Sequence, residues 1–232
     1  IKKLGENDED ILTGPWFISG NLVILRKGES LGSFWGYKRE GIWGEDEAEE
    51  AKAAGAGVGQ PKRSKDREIL GKGLPDVTGS FINNFRYKNF DLTVDLQFVL
   101  GVDVYQQFLH STEDRFGIAN ALSSVLSEGW TPANTNTMIP ALYSQNSQPD
   151  SHWVANGSYL RANLIQLGYT FEPSVLKALH LGSLRAYFSV NNAFCITSKD
   201  FKGYDPEGTS WNTDQWDRIL CSSSIRNPER IH

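Results

Sequence analysis

Aromatic rings and side-chain amides crowd one stretch of this 232-residue sequence. Between Trp130 and Trp153 lie Asn134, Asn136, Tyr143, Gln145, Asn146 and Gln148. Flat aromatic faces suit stacking on sugar rings, and amides both donate to and accept from hydroxyls. Trp130, Asn134, Asn136 and Trp153 are therefore candidate ligand contacts, the alternative being that they only rigidify a long loop. Other patterns point away from catalysis. Asp91 and Asp95 share a face if their segment is extended, but they are then roughly 13 Å apart. Paired glycosidase carboxylates work at about 5–9.5 Å. Ala56-Gly57-Val58-Gly59 lacks the Gly-Lys-Ser/Thr of a phosphate-binding loop and follows an acidic segment rather than a strand. Asn156-Gly157-Ser158 matches a glycosylation sequon, while Asn-Gly equally marks a turn. Cys195 and Cys221 have no CxxC spacing, and His110, His152, His180 and His232 are scattered. One disulfide fits these cysteines and a zinc site does not. The sequence shows no nucleophile elbow, HExxH or EF-hand loop, so we expect no enzyme, no cofactor and no metal.

These residues need elements to hold them, and the clearest pattern is a β-hairpin. Phe90, Leu92, Val94, Leu96, Phe98 and Leu100 alternate with Asp91, Thr93, Asp95, Gln97 and Val99. Period-two alternation of this kind makes a strand with one apolar and one polar face. Just before it, Phe81, Phe85 and Tyr87 alternate with Ile82, Asn84, Arg86 and Lys88. A two-residue turn at Lys88-Asn89 sets Tyr87 opposite Phe90, Phe85 opposite Leu92 and Phe81 opposite Leu96. Further strands are expected at Ser19–Arg26, Leu31–Trp43, Ser158–Phe171 and Leu184–Ile196, about six in all. Eleven residues span roughly 36 Å, or roughly 28 Å along the normal at ~40° tilt. That covers an outer-membrane apolar band of ~25 Å, whereas soluble strands average about 5–6 residues.

The connections are unequal. Lys27–Ser30 and Lys88-Asn89 are tight, and Pro173–Leu181 reads as a short helical connector. Gly44–Val77, Asp103–Gly157 and everything after Thr197 are long. Short turns at one end and long loops at the other are the barrel pattern. Within the long loops, Glu45–Ala54 reads as an acidic surface helix, and Ile118, Leu122 and Val125 form a helical stripe.

Composition excludes other classes. A net charge of −5 argues against a nucleic-acid partner. Hydrophobic residues at 39% and aromatics at 12% argue against disorder. No window approaches the ~20 apolar residues of a spanning helix, which leaves a β-barrel open. Residues 1–10 have no apolar core, so no signal peptide is expected, and the chain reads as a processed product or a piece of something longer.

Several segments in order resemble the SusC/RagA family of TonB-dependent outer-membrane transporters. They are Gly71-Lys72-Gly73-Leu74-Pro75, Gly79-Ser80-Phe81, Phe85-Arg86-Tyr87-Lys88-Asn89-Phe90-Asp91-Leu92 and Trp130-Thr131-Pro132-Ala133-Asn134-Thr135-Asn136-Thr137. Gly157-Ser158-Tyr159-Leu160-Arg161, Leu167-Gly168-Tyr169-Thr170-Phe171, the run from Leu184 to Asn192 and Lys202-Gly203-Tyr204-Asp205-Pro206-Glu207 complete the series. The resemblance covers about Gly28 to Glu207 and corresponds to the C-terminal part of such a transporter. It implies an all-β chain: the C-terminal portion of a 22-stranded antiparallel transmembrane barrel, with long extracellular loops carrying short helices. Residues 1–207 are then barrel, and 208–232 are an atypical tail in place of the final strand, since no alternation and no terminal Phe appear there. Cys195 stands where the family usually has a small or hydroxyl residue.

The implied function is import of nutrients, oligosaccharides or peptides, across the bacterial outer membrane. Implied partners are a SusD-like surface lipoprotein lid, outer-membrane lipid, and TonB-ExbB-ExbD acting through a plug region upstream of this sequence. Asp91, Asp95, Arg161 and Asn163 then line the lumen, with Arg161 and Asn163 joining Trp130, Asn134, Asn136 and Trp153 as substrate contacts. The rival readings are a soluble β-rich carbohydrate-binding module and, within the transporter class, a ferric-siderophore receptor. A glycoside hydrolase fails for want of a suitable carboxylate pair.

Overall fold

The computed structural model describes residues 1–5, 7–15, 21–114, 120–144, 148, 150–178 and 180–207. In chain order its first strands are β1 (Ile11–Pro15), β2 (Asn21–Leu25), β3 (Ser33–Ile42) and β4 (Pro61–Lys72), with helix α1 (Ala48–Ala53) between β3 and β4. A hairpin follows, β5 (Val77–Tyr87) and β6 (Phe90–Leu100), then β7 (Asp103–Tyr105), α2 (Phe108–Thr112) and α3 (Ser123–Glu128). The chain continues through β8 (Val154–Asn156), β9 (Tyr159–Thr170), α4 (Pro173–Ala178) and β10 (Arg185–Thr197). These elements fall into two units. Of the described residues, the first takes in those of 1–74, 102–156 and 200–207, and the second those of 75–101 and 157–199.

The second unit is one antiparallel sheet in the order β10-β9-β6-β5. Its hairpin has the expected register, with Tyr87 opposite Phe90, Phe85 opposite Leu92 and Phe81 opposite Leu96. Lys88 makes the turn with a φ of 54°, a left-handed conformation that its Cβ disfavours. Alternation carries the apolar face across all four strands: Phe90 pairs with Tyr169, Leu92 with Leu167, Val94 with Ile165, and Phe188 with Leu167 from the other side. A bulge keeps this face continuous where the register slips. Asn163 on β9 is skipped between Asp95 and Leu96, and β10 answers by skipping Asn192 and Ala193.

The face is bare. Phe81, Phe85 and Phe188 are 60%, 58% and 70% exposed. Val77, Leu100, Tyr159 and Thr197, where the chain enters and leaves this unit, lie side by side at one end of the sheet. The opposite end carries the Lys88-Asn89 turn and the 171–184 connector with α4, so short connections gather at one end as expected. The sheet is open: the described residues form no closed barrel, because four strands lack the curvature and number to meet.

The first unit holds the sheet β1-β2-β3-β4 and the two-stranded pair β7-β8. Leu22 and Val23 of β2 are buried with Phe34, Tyr105, Leu109 and Trp153 in one core. Tyr105 and Trp153 meet edge to face at 6.0 Å, and His110 meets Trp153 at 5.6 Å. Truncating a ring in such a core costs about 3–5 kcal/mol. The acidic segment forms a 3-10 turn at Glu45–Glu47 running into α1, as expected. The 44–77 segment is not wholly a loop, however. It contains β4, twelve residues paired with β3. Ten strands thus stand among the described residues where about six were expected. Ser19, Ile118 and Cys221 lie outside the described residues, as does the 208–232 tail.

Candidate functional site

The aromatic and amide residues of the long loop lie in the first unit, and most serve its packing. Trp130 is buried beside Ile42 and Ala141, with Val58 against them. Gly59 explains the glycine-rich segment. Its φ is 78°, and an added Cβ would lie 2.7 Å from the Ala141 Cβ and 3.2 Å from the Trp130 ring. Its N–H donates to the Trp43 carbonyl and its own carbonyl accepts from Ala141 N–H, each at 2.8 Å. The glycine there secures close packing. Asn134 closes a tight turn with Thr131, and its amide donates to the carbonyls of Glu128 at 3.1 Å and Gly129 at 3.2 Å, ending α3. Asn136 remains exposed. It lines a cavity of about 380 Å³ with Glu40, Glu47, Lys62 and Thr137. Tyr143 is 64% exposed, while Gln145 and Asn146 lie outside the described residues. Trp153 is fully buried, so its ring faces protein rather than a ligand.

Two ionic networks that the sequence reading missed fasten this unit. Arg39 on β3 spends all five guanidinium N–H donors. Nε and Nη2 donate to Asp150 Oδ2 at 3.0 and 2.6 Å, Nη1 to Asp114 Oδ1 at 3.2 Å and to the Met138 carbonyl at 2.9 Å, and Nη2 also to Asp114 Oδ2. Arg63 on β4 adds a bond to Asp150 at 3.1 Å. Two cations thus meet two carboxylates, and Arg39, Asp114 and Asp150 are almost wholly shut from solvent. Burial opposes the Arg39 charge, but the two carboxylates outweigh it and hold the group protonated beyond its ordinary range. Burial likewise pushes the neighbouring Tyr105 hydroxyl up.

The second network centres on Glu113. It accepts from Ser124 Oγ at 2.9 Å and Lys202 Nζ at 2.5 Å, and pairs with His152 Nε2 at 2.8 Å. Burial alone would raise its carboxyl, yet His152 and Lys202 prevail and hold it at about 2. Neither network leaves a local sequence signal, since the charged partners sit 39 to 111 residues apart.

The other predicted residues belong to the polar face of the second unit. Asp91 accepts a forked pair of bonds from Arg185, at 3.2 and 2.5 Å. Asn163 donates to Gln97 Oε1 at 3.1 Å, and Gln97 donates to the Tyr159 hydroxyl at 3.3 Å. Arg161 lies over the Tyr159 ring at 5.3 Å. Asp95 Oδ1 is buried with no hydrogen-bond partner among the described residues. The face therefore gathers Asp91, Asp95, Arg161 and Asn163 on one sheet, and these are apart in sequence from the Trp130–Trp153 cluster. Cys195, opposite Arg161, is an exposed free thiol.

A larger cavity of about 500 Å³ opens in the first unit among Tyr37, Trp43, Pro61, Arg63, Lys65 and Gln148. Of these only Gln148 belongs to the stretch that the sequence reading singled out; the aromatic richness of Leu31–Trp43 was the available signal.

No family model matches the chain. It is 32% identical over 209 residues to the TonB-dependent receptor P3 of Formosa agariphila, which covers 84% of this chain and 20% of that protein. Over 147 residues it is 32% identical to the TonB-dependent receptor SusC of Bacteroides thetaiotaomicron, covering 62% of this chain and 14% of SusC. Among solved structures, the RagAB peptide importer in its open-open state superposes with a TM-score of 0.65 at 23% identity, over 88% of this chain and 22% of that one. The chain thus spans about a fifth of the length of these proteins.

Proposed function

We infer, from the premise that this chain is a segment of a SusC/RagA-type TonB-dependent transporter, that it supplies wall and rim to an outer-membrane nutrient importer. The observation that carries this is the single-layered second unit. Its strands run 11 to 13 residues, and one continuous apolar face stands exposed. A soluble sheet would bury that face against a second layer; a barrel wall gives it to lipid. Tyr87, Phe90 and Tyr169 cluster at the short-turn end, where an aromatic girdle would meet the membrane interface.

In this reading residues 1–207 belong to the barrel and its loops, with 208–232 the atypical end. Asp91, Asp95, Arg161 and Asn163 line the lumen. The first unit is extracellular loop material that meets oligosaccharide or peptide, with Asn136 presented at its surface and Trp130 and Trp153 as its frame. A SusD-like lipoprotein would close over the mouth, and TonB-ExbB-ExbD would act through a plug. Transport would then proceed by biasing a two-state assembly, with no covalent chemistry.

The test is an immunoblot of fractionated source cells with antibodies to residues 130–153. A band several-fold heavier than 25.9 kDa in the outer membrane supports the reading. A band of 25.9 kDa in the soluble fraction overturns it in favour of a carbohydrate-binding module.

A further inference from the structure

The larger cavity of the first unit is built differently from the rest of the chain. Its described lining contains two cations, Arg63 and Lys65, and no carboxylate, although the whole chain is acidic at −5. The smaller cavity contains Glu40 and Glu47 beside a single Lys62. A defect in the β3–β4 pairing produces the difference. Tyr37 pairs with Arg67 and Arg39 with Arg63, so Ser64, Lys65 and Asp66 stand opposite Lys38 alone. Ser64 locks this bulge, accepting from Lys38 N–H at 3.0 Å and donating to the Asp66 carbonyl at 2.8 Å. Bulges re-aim side chains, and here the result is Lys65 at the cavity.

The remaining walls set the shape of an occupant. Tyr37 and Pro61 give ring surfaces, Gln148 gives an amide, and the Ser64 hydroxyl, its proton spent on Asp66, gives an acceptor; Trp43 is only 8% exposed, with Lys62 Nζ 4.6 Å over its ring. Arg67 lies over the Tyr37 ring at 5.1 Å and adds a third positive charge beside it. Asp150 engages Arg63 through Nε and offsets its charge, so Lys65 supplies the net attraction. Aromatic walls favour the C–H face of a pyranose, amide and hydroxyl favour its hydroxyls, and the lysine favours an anionic substituent. An acidic peptide side chain would use the cation but has no ring for the walls.

We propose that this cavity is a binding subsite for an acidic pyranose unit, one bearing a carboxylate or sulfate, in an oligosaccharide. The proposal rests on the transporter reading, because it names the substrate class for that rim.

The experiment uses the full-length polypeptide in detergent, with binding measured by calorimetry. The probes are tetragalacturonate, its fully methyl-esterified form, a sulfated galactan tetrasaccharide and a tetraglutamate peptide. An anionic saccharide should bind about tenfold tighter than the neutral ester. Comparing tetragalacturonate with the sulfated probe tells carboxylate from sulfate. Lys65→Gln, at an exposed position that leaves the fold intact, should reduce that preference to about threefold or less. Tyr37→Leu should weaken charged and neutral saccharides alike by about fivefold. Equal affinity for the ester, preference for the peptide, binding of none of the probes, or indifference to Lys65→Gln would each overturn the proposal. Outer-membrane fractionation of the same polypeptide is read separately: its absence there defeats the transporter reading, whereas its presence with the wrong ligand preference defeats only the subsite.

Discussion

Arg39 and Asp150 are 111 residues apart in sequence, yet Arg39 Nη2 lies 2.6 Å from Asp150 Oδ2 with both side chains sealed from water. The contact joins β3 to the turn that leads into β8, and through Asp114 it reaches the end of α2. Two desolvated charges are costly, and full use of the guanidinium donors is what makes them tolerable here. Removing one partner strands the other. Asp150→Asn should therefore destabilise the first unit by about 3–5 kcal/mol. Limited proteolysis should show cleavage between 102 and 156 rising sharply, while Arg26→Ala at the exposed Asp10 pair should change little.

Glu113 makes the same unit acid-sensitive. Its carboxyl sits at about 2 when folded against an ordinary 4.5, so folding favours the ionised form. The stabilisation is complete above about pH 4.5 and disappears as pH falls from there towards 2. The protection factors of amides 109–114, observed exchange corrected for the intrinsic pH dependence of the amide reaction, should fall over that window. In Glu113→Gln protection should be lower at neutral pH and nearly flat across it. An unchanged acid profile in the variant would show that Glu113 does not control this opening.

How much of this was written in the residues depends on the distance over which each signal acts. The hairpin from Val77 to Leu100 was legible because alternation and a two-residue turn determine each other locally, down to Phe81 opposite Leu96. β4 was not legible. Lys62, Arg63, Lys65, Asp66, Arg67 and Glu68 read as a solvated loop, and the strand exists through its pairing with β3, bulges included. The tryptophans show the same limit. Trp130 and Trp153 carry surface enough for either stacking on sugar or filling a core, and neighbours as remote as Ile42 and Leu22 decide for the core. The clustering of Asp91, Asp95 and Arg161 on one face, by contrast, follows from parity once the strands are placed.

The apolar face of the second unit makes a directional prediction. Phe81 is near the middle of β5 on that face, and Ser80 is its neighbour on the polar side. Phe81→Arg should cost about 2–4 kcal/mol if the face meets hydrocarbon at midplane. The full-length polypeptide would then reach the outer membrane in reduced amount and lose heat-modifiable mobility. Ser80→Arg, pointing to the polar side, should assemble normally. Equal behaviour of the two variants would contradict a lipid-facing assignment.

The edges of the same sheet govern the behaviour of residues 1–232 on their own. Among the described residues β5 and β10 each have one neighbour, leaving two rows of backbone N–H and C=O groups without partners in the sheet. In a barrel those rows pair with further strands. In water they face other copies, beside a broad apolar surface that carries Phe85, Phe188 and Leu167. The isolated chain should therefore aggregate after refolding in buffer. Detergent should cover the face without closing the edges, so a mixture of sizes is expected there too. Analytical ultracentrifugation in both media checks this. A single monodisperse, heat-modifiable species of 25.9 kDa in detergent would mean that the sheet satisfies its own edges, which four strands in the order β10-β9-β6-β5 have no geometric means to do.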